Sequence, residues 1–374
     1  MKTNSSSTRV SSLDFARGFA MLMVLGAHFR FSPNEAEGAA SGFIWRLWKN
    51  VGWTGIDFFF VMSGFLIGGL LLDEYSRTKK VHVFRFLTRR GLKIYPGYFL
   101  LMGAALIWGH WNGWLSADLQ RFVGYLFFIQ NYSMFFPKVI FHTWSLAVEE
   151  HFYLVVTFLF FFLSRNQIKT RAVSTFFKYA SLTALAACLL FRFDMSAQSP
   201  FAWTTHITPS HLRADALLFG LFLADRNQHD SVRFLDFCTK HRVSLGVIGL
   251  GLLMVPASLL SQSQMFTWGL TTNVLASGMA LMSALGLRSL GKTGVSRAVA
   301  RIGLDSYSIY LWHAFVQVGV GQLFLKLSLP EFGPAARTIY VAASLFVGIE
   351  FAKIIEHPML RLRNRLYPSR GSVF

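Results

Sequence analysis

Arg17 and His28 stand eleven residues apart in an otherwise apolar stretch, LDFARGFAMLMVLGAHF, at residues 13–29. A guanidinium grips phosphate and carboxylate oxygens, and an imidazole moves protons near neutral pH. A helix turns about 100° per residue, so His28 returns to within about 20° of Arg17, about 16 Å farther along the axis. Asp14, three residues before Arg17, extends the same polar stripe. Ionisable groups on a helix of membrane-spanning length are costly and mark a functional path by default. The plainer reading is a basic flank at one end and a histidine at the far headgroup layer.

The elements that must position this stripe follow from composition. Of 374 residues, 53% are hydrophobic and only 14% charged. A soluble domain carries about 25% charge. The apolar runs are long enough to span a bilayer, so the chain reads as an all-α, polytopic helical bundle. The formal charge of +18 invites a nucleic-acid reading. The basic residues, however, fall mainly between apolar runs, which is the positive-inside pattern of a membrane protein. With two cysteines, Cys188 in an apolar run and Cys238 in a basic loop, neither a disulfide framework nor a cysteine-ligated metal is expected.

Spans are expected at 13–29, 53–72, 96–111, 142–164, 177–192, 210–224, 243–260, 267–288, 302–325 and 337–355, about ten in all. Residues 1–12 read as a disordered polar cytoplasmic segment, 13–360 as one transmembrane domain, and 361–374 as a basic cytoplasmic tail. Residues 30–50 read as a polar outer loop, and Pro96 as the start of the third span. The segment 121–141, broken by Asn131 and Pro137, is too short to cross and reads as re-entrant or interfacial. The densest basic loop holds Arg77, Lys79, Lys80, Arg85, Arg89, Arg90 and Lys93, which places it in the cytoplasm. This topology gathers His28, Asp57, Ser145, Glu149, Arg213 and Asp215 in the outer half, with Arg17, Arg89, Arg90 and Lys93 at the cytoplasmic level.

In this order the chain resembles the acyltransferase-3 family of integral-membrane O-acyltransferases, which modify O-antigen, exopolysaccharide, Nod factors and macrolides. The blocks that carry the likeness are residues 13–29, GIDFFFVMSGFLI at 55–67 and RFLTRRGLKIYPGYFL at 85–100. TWSLAVEEHFYL at 143–154, HLRADALLFGLFLA at 211–224, LDSYSIYLWHAF at 304–315 and IEHPML at 355–360 complete the set. Lys93 stands where the family more usually has arginine, and His151 where it often has glutamine.

The resemblance implies transfer of an acyl group, acetyl first among them, from cytoplasmic acyl-CoA to a hydroxyl at the outer side. The acceptor is a glycan or lipid-linked saccharide, and the setting a bacterial-type inner membrane with both termini cytoplasmic. It places catalysis on Arg17 and His28, with His28 as general base. Glu149 is a third candidate, either orienting His28, binding sugar hydroxyls, or pairing with Arg213. Arg89, Arg90 and Lys93 are candidates for the donor's phosphates, against a purely topogenic role. Asp14, Asp57, Ser145, Arg213, Asp215 and His313 are acceptor-site or supporting candidates. His211 and Asp215, four apart, are placed to pair, and Ser63 reads as a small packing residue beside Gly64. Membrane lipids are expected partners, nucleic acid is not, and neither a metal nor a permanently bound cofactor is expected. The competing class is a transporter or flippase, against which the lack of two repeated halves counts.

Orientation has a direct check. With Cys188 and Cys238 replaced, Ala40→Cys and Lys79→Cys proteins should label with an impermeant maleimide from opposite faces of the membrane.

Overall fold

The computed structural model describes residues 5–29, 40–113, 122–132, 138–287, 290, 293–330 and 333–368. Among the described residues every regular element is helical. The helices of eight residues or more are α1 (Ser5–Ala27), α2 (Ala40–Gly52), α3 (Gly55–Thr78), α4 (Val83–Trp111) and α5 (Trp144–Arg165). There follow α6 (Thr170–Gln198), α7 (Ala214–His229), α8 (Ser231–Lys240), α9 (Arg242–Leu259) and α10 (Leu270–Gly286). The last are α11 (Gly294–Leu304), α12 (Ser306–Lys326), α13 (Pro334–Phe351) and α14 (His357–Leu366).

Six helical stretches among the described residues are long and apolar enough to cross a membrane: Phe43–Thr78, Val83–Trp111, Phe141–Arg165, Thr170–Gln198, Ser306–Lys326 and Pro334–Leu366. The expected count of about ten is not reached by that measure. The other four expected spans fall on α1, α7, α9 and α10. Of these, α7 and α10 have 16 and 17 residues, short of the roughly 20 that a straight crossing needs.

Several boundaries also differ from the sequence reading. Helix α1 reaches back to Ser5 rather than starting after a disordered segment. The hydroxyls of Ser11 and Ser12 there donate to the carbonyls of Leu290 and Leu287, both at 3.3 Å. The outer loop at 30–50 contains α2, held by a Trp48 indole bond to the Leu22 carbonyl (2.8 Å); residues 30–39 lie outside the described ones. Pro96 does not start a helix, because α4 runs from Val83 straight through it. A proline costs one backbone donor, which a packed membrane helix tolerates. The described part of 121–141 is a short helix at 122–126 and two 3₁₀ turns, not a span. The amide nitrogens of its buried polar side chains bond to protein: Gln130 donates to the Thr143 carbonyl (2.9 Å) and Asn131 to Ser210 Oγ (2.9 Å). Pro137 lies outside the described residues.

Helix α3 is the axis of the packing. It lies against α7 so closely that a Cβ on Gly64 would overlap the Leu217 carbonyl, and one on Gly220 the Val61 carbonyl. Small residues permit this backbone approach, which van der Waals contact then rewards. Two apolar clusters flank α3, one including Phe60, Phe65, Tyr153 and Leu217 and the other including Met21, Tyr98, Tyr310 and Trp312. Ile56 and Phe59 pack against both.

Gly220→Val should therefore lower the detergent melting temperature sharply, overpacking costing about 1–3 kcal/mol or more. Gly251→Ala, where an added Cβ meets open space, should be neutral or slightly stabilising in the same melt.

Candidate active site

Between the two clusters lies a cavity of about 360 Å³ walled by α1, α3, α4, α5, α12 and α14. Helix α3 lines it from Ile56 to Leu70, about 20 Å at 1.5 Å per residue. Its polar lining divides by chemistry. Arg17, Arg90, Lys93 and Arg363 supply the cations, and Ser63, Ser145, Ser306, Tyr307 and Tyr310 the hydroxyls. Glu149 is the carboxylate among them, and the rest of the wall is mostly aliphatic and aromatic.

Arg90 is aimed by Tyr153. Its Nη2 donates to the Tyr153 hydroxyl (2.7 Å), and its guanidinium lies 4.5 Å from that ring's centroid. The Tyr153 hydroxyl donates in turn to Glu149 Oε2 (2.5 Å) and lies 2.6 Å from Ser63 Oγ. Ser63 is thus a polar member of the wall as well as a small residue beside Gly64. Arg17 is 3.3 Å from Asp14, and its side chain remains partly open to the cavity.

Ser145 and Tyr310 share a hydrogen bond of 2.5 Å. The Tyr310 hydroxyl also lies 2.6 Å from the His142 carbonyl oxygen, to which it donates. Behind this hydroxyl pair stand three imidazoles. His313 is 4.7 Å from His28 and 4.6 Å from His142, ring centroid to centroid, edge to face in both cases. Each ring has one nitrogen on a backbone carbonyl: His28 Nδ1 on Val24 (2.9 Å), His313 Nδ1 on Tyr310 (2.6 Å), His142 Nε2 on Leu311 (3.1 Å). Gln317 donates to the His28 carbonyl and ties α12 to the end of α1.

The structure sorts the sequence candidates. Arg17, Arg90, Lys93, Glu149 and Ser145 share the cavity. His28 and His313 share the histidine stack beyond it. Arg89 is outside, its guanidinium on the Tyr367 carbonyl. Helix α4 continues through this stretch, so Arg89 and Arg90, adjacent on a helix, face different ways. Glu149 meets neither His28 nor Arg213, because Tyr153, one turn on, takes it. Arg213 pairs instead with Asp57, both buried. His211 does not pair with Asp215: its ring stacks on Tyr132, while Asp215 holds Arg192 at 2.8 Å, again fully buried. His151 bonds Ser210 Oγ at 2.7 Å.

Three contributors escaped the sequence reading. His142 sits just before α5, where the 142–164 run looked like an ordinary span start. Arg363 lies in what read as a basic tail. Tyr310 lacked any cue except its place three residues before His313.

The helical bundle thus holds a cation-walled cavity with a hydroxyl pair on its wall and three histidines packed behind that pair. The chain belongs to the acyltransferase-3 family, whose model, described as an acyltransferase domain, matches residues 10–352. It is 29% identical over 308 residues to the O-acetyltransferase OatA of Staphylococcus aureus, covering 76% of this chain and 49% of that protein. It is 28% identical over 168 residues to the peptidoglycan O-acetyltransferase OatA of Listeria monocytogenes (41% of this chain, 25% of that one). It is also 28% identical over 159 residues to the putative peptidoglycan O-acetyltransferase YrhL of Bacillus subtilis (39% and 23%). The chain thus spans about half the length of the Staphylococcus aureus relative, and less of the others. No solved structure matches it.

The Asp57–Arg213 pair lies off the cavity, and its role can be separated from chemistry. Arg213→Gln should lower stability by about 3–5 kcal/mol by stranding a buried carboxylate. The double variant Asp57→Leu/Arg213→Met should recover most of the loss in the same thermal melt.

Proposed function

We propose that this chain is an integral-membrane O-acyltransferase that moves an acyl group, acetyl first, from acyl-CoA to a hydroxyl. The observation that carries the reading is one cavity with a cationic set and a hydroxyl pair on its walls, ending against His28's cluster. The donor's phosphates would rest against Arg90, Lys93 and Arg363, and its thioester arm along the apolar wall of α3. Arg17 would meet the donor farther in. The acceptor hydroxyl would approach from the outer side, losing its proton to His28 as its oxygen bonds the acyl carbon. The carbon–sulfur bond then breaks, and its electron pair leaves on the thiolate. Acyl-CoA is a co-substrate here, and the scheme calls for no permanently bound cofactor.

The names of the relatives support a peptidoglycan-type glycan, free or lipid-linked, as acceptor. We place the chain in a bacterial-type cytoplasmic membrane, crossing it about ten times, with both termini and the 74–95 segment in the cytoplasm. Helices α1, α7, α9 and α10 complete the count in this reading.

The test is acetyl transfer by purified protein in lipid nanodiscs, with acetyl-CoA and a muropeptide or polysaccharide acceptor. His28→Ala should lower turnover by about 10²–10⁴-fold, the usual size for a positioned acid–base group. Arg90→Gln/Lys93→Gln and Arg363→Gln should chiefly raise the Michaelis constant for acetyl-CoA, the signature of lost ground-state binding. Arg89→Gln, outside the cavity, should change neither constant. Near-native activity of a well-inserted His28→Ala protein would remove His28 from the mechanism.

A further inference from the structure

The three imidazoles have a hydrogen-bond pattern that the scheme above does not use. Each places one nitrogen on a main-chain carbonyl, which can only accept, so that nitrogen carries the ring's proton. The second nitrogen of each neutral ring is therefore a bare lone pair. His313 Nε2 and His142 Nδ1 are fully buried and have no hydrogen-bond partner. Buried acceptors without donors are costly and uncommon. Two of them here stand in one stack with His28. Facing the stack are Phe141, Tyr310 and Gln317, and Tyr310 spends its hydroxyl on His142's carbonyl and Ser145. No carboxylate or cationic side chain among the described residues hydrogen-bonds or ion-pairs with the three rings. The neutral cluster thus has room for one further proton on a lone pair that no donor meets.

We propose that His313 and His142 are positioning residues that act through His28, sharing the proton it takes from the acceptor hydroxyl until the leaving thiolate removes it. The proposal rests on the acyltransferase reading and extends it. In sequence, the acceptor's O–H proton passes to His28 Nε2 while the oxygen bonds the acyl carbon. The carbon–sulfur bond breaks with its electron pair on sulfur. The extra proton, held among the three rings, then returns to that sulfur, so the cluster ends neutral and the thiol leaves. The stack admits one such proton at a time, because a second imidazolium 4.6–4.7 Å away would be repelled by the first. The three rings therefore titrate as a set.

Two pairs of variants test this. His313→Gln and His142→Asn each keep an acceptor oxygen near the place of the lost lone pair. His313→Leu and His142→Leu remove it. Nitrogen-15 histidine spectra of the whole protein in nanodiscs, recorded against pH, read the proton on His28 without any turnover. In the Leu variants the His28 titration should move to lower pH by about half a unit or more, since a neighbour that shares the proton is gone. The Gln and Asn variants should lie between these and the native protein. In the transfer assay the Leu variants should lose about 10²-fold in turnover, with the Michaelis constant for acetyl-CoA unchanged. An unmoved His28 titration in the folded Leu variants would overturn the proposal, as would equal turnover in the Leu and acceptor-keeping variants. If native protein transferred no acetyl group, the parent reading would fall, while the titration would still decide whether the rings share a proton.

Discussion

A guanidinium or ammonium inside a hydrocarbon-thick bundle must be paired or given water. The arrangement of this protein follows from how each internal cation meets that demand. Arg192 and Arg213 take the first course: each is fully buried against an aspartate, Asp215 and Asp57. Arg17, Arg90, Lys93 and Arg363 take the second, lining one cavity. Arg17 keeps its tie to Asp14, and Arg90 is shared between the Tyr153 ring and hydroxyl. The cavity is thus the condition for having these cations inside the bundle, and it is where an anionic ligand finds unspent positive charge.

The same helices carry both classes of cation, which makes the dry pairs useful to the wet ones. Asp57 begins α3, whose later turns line the cavity as far as Leu70. Arg213 immediately precedes α7, which locks to α3 through Gly64 and Gly220. The ion pair fixes one end of the α3–α7 contact, and the glycine contacts fix its middle. A wall held at two levels gives the cavity a constant width. The π-helical turn at Ala352–Glu356 does comparable work at the other side, turning buried Glu356 onto Ser308 of α12 (2.7 Å) just before α14. That contact sets where α14 leaves the bundle and so where Arg363 points.

Much of this was legible in the sequence because it is written in composition and period. The apolar runs gave an all-helical membrane bundle, and the 17–28 spacing marked α1. Ordered motifs gave the family. What was not legible depends on which way a side chain turns once helices meet. Arg89 and Arg90 are neighbours in sequence, yet only Arg90 enters the cavity, because α4 is helical through the basic stretch instead of starting at Pro96. Glu149 was read toward His28 or Arg213, but a tyrosine one turn away on the same face claims it first. His142 stands at the first position of the run read as the 142–164 span, so nothing set it apart from an ordinary span end. Its place beside His313 comes from a 3₁₀ turn at Phe141–Thr143 meeting α12 from 169 residues away in sequence.

The separation of the two chemistries along α1 gives the architecture its logic. Arg17 and His28 are about 16 Å apart along their helix, too far to act on the same atom. The cavity runs a comparable distance along α3. A ligand that reaches from the cations to the Ser145–Tyr310 pair must therefore be long, thin and charged at one end only. A phosphate-bearing thioester on a flexible arm has that shape. A compact anion or a free sugar phosphate would satisfy the cations and leave the hydroxyl end empty. Ser145 and Tyr310 line the cavity together, and the Tyr310 ring packs in turn against His142 and His313. The four cations line the cavity and the three imidazoles stand outside its lining, so the two chemistries are held apart on one set of helices.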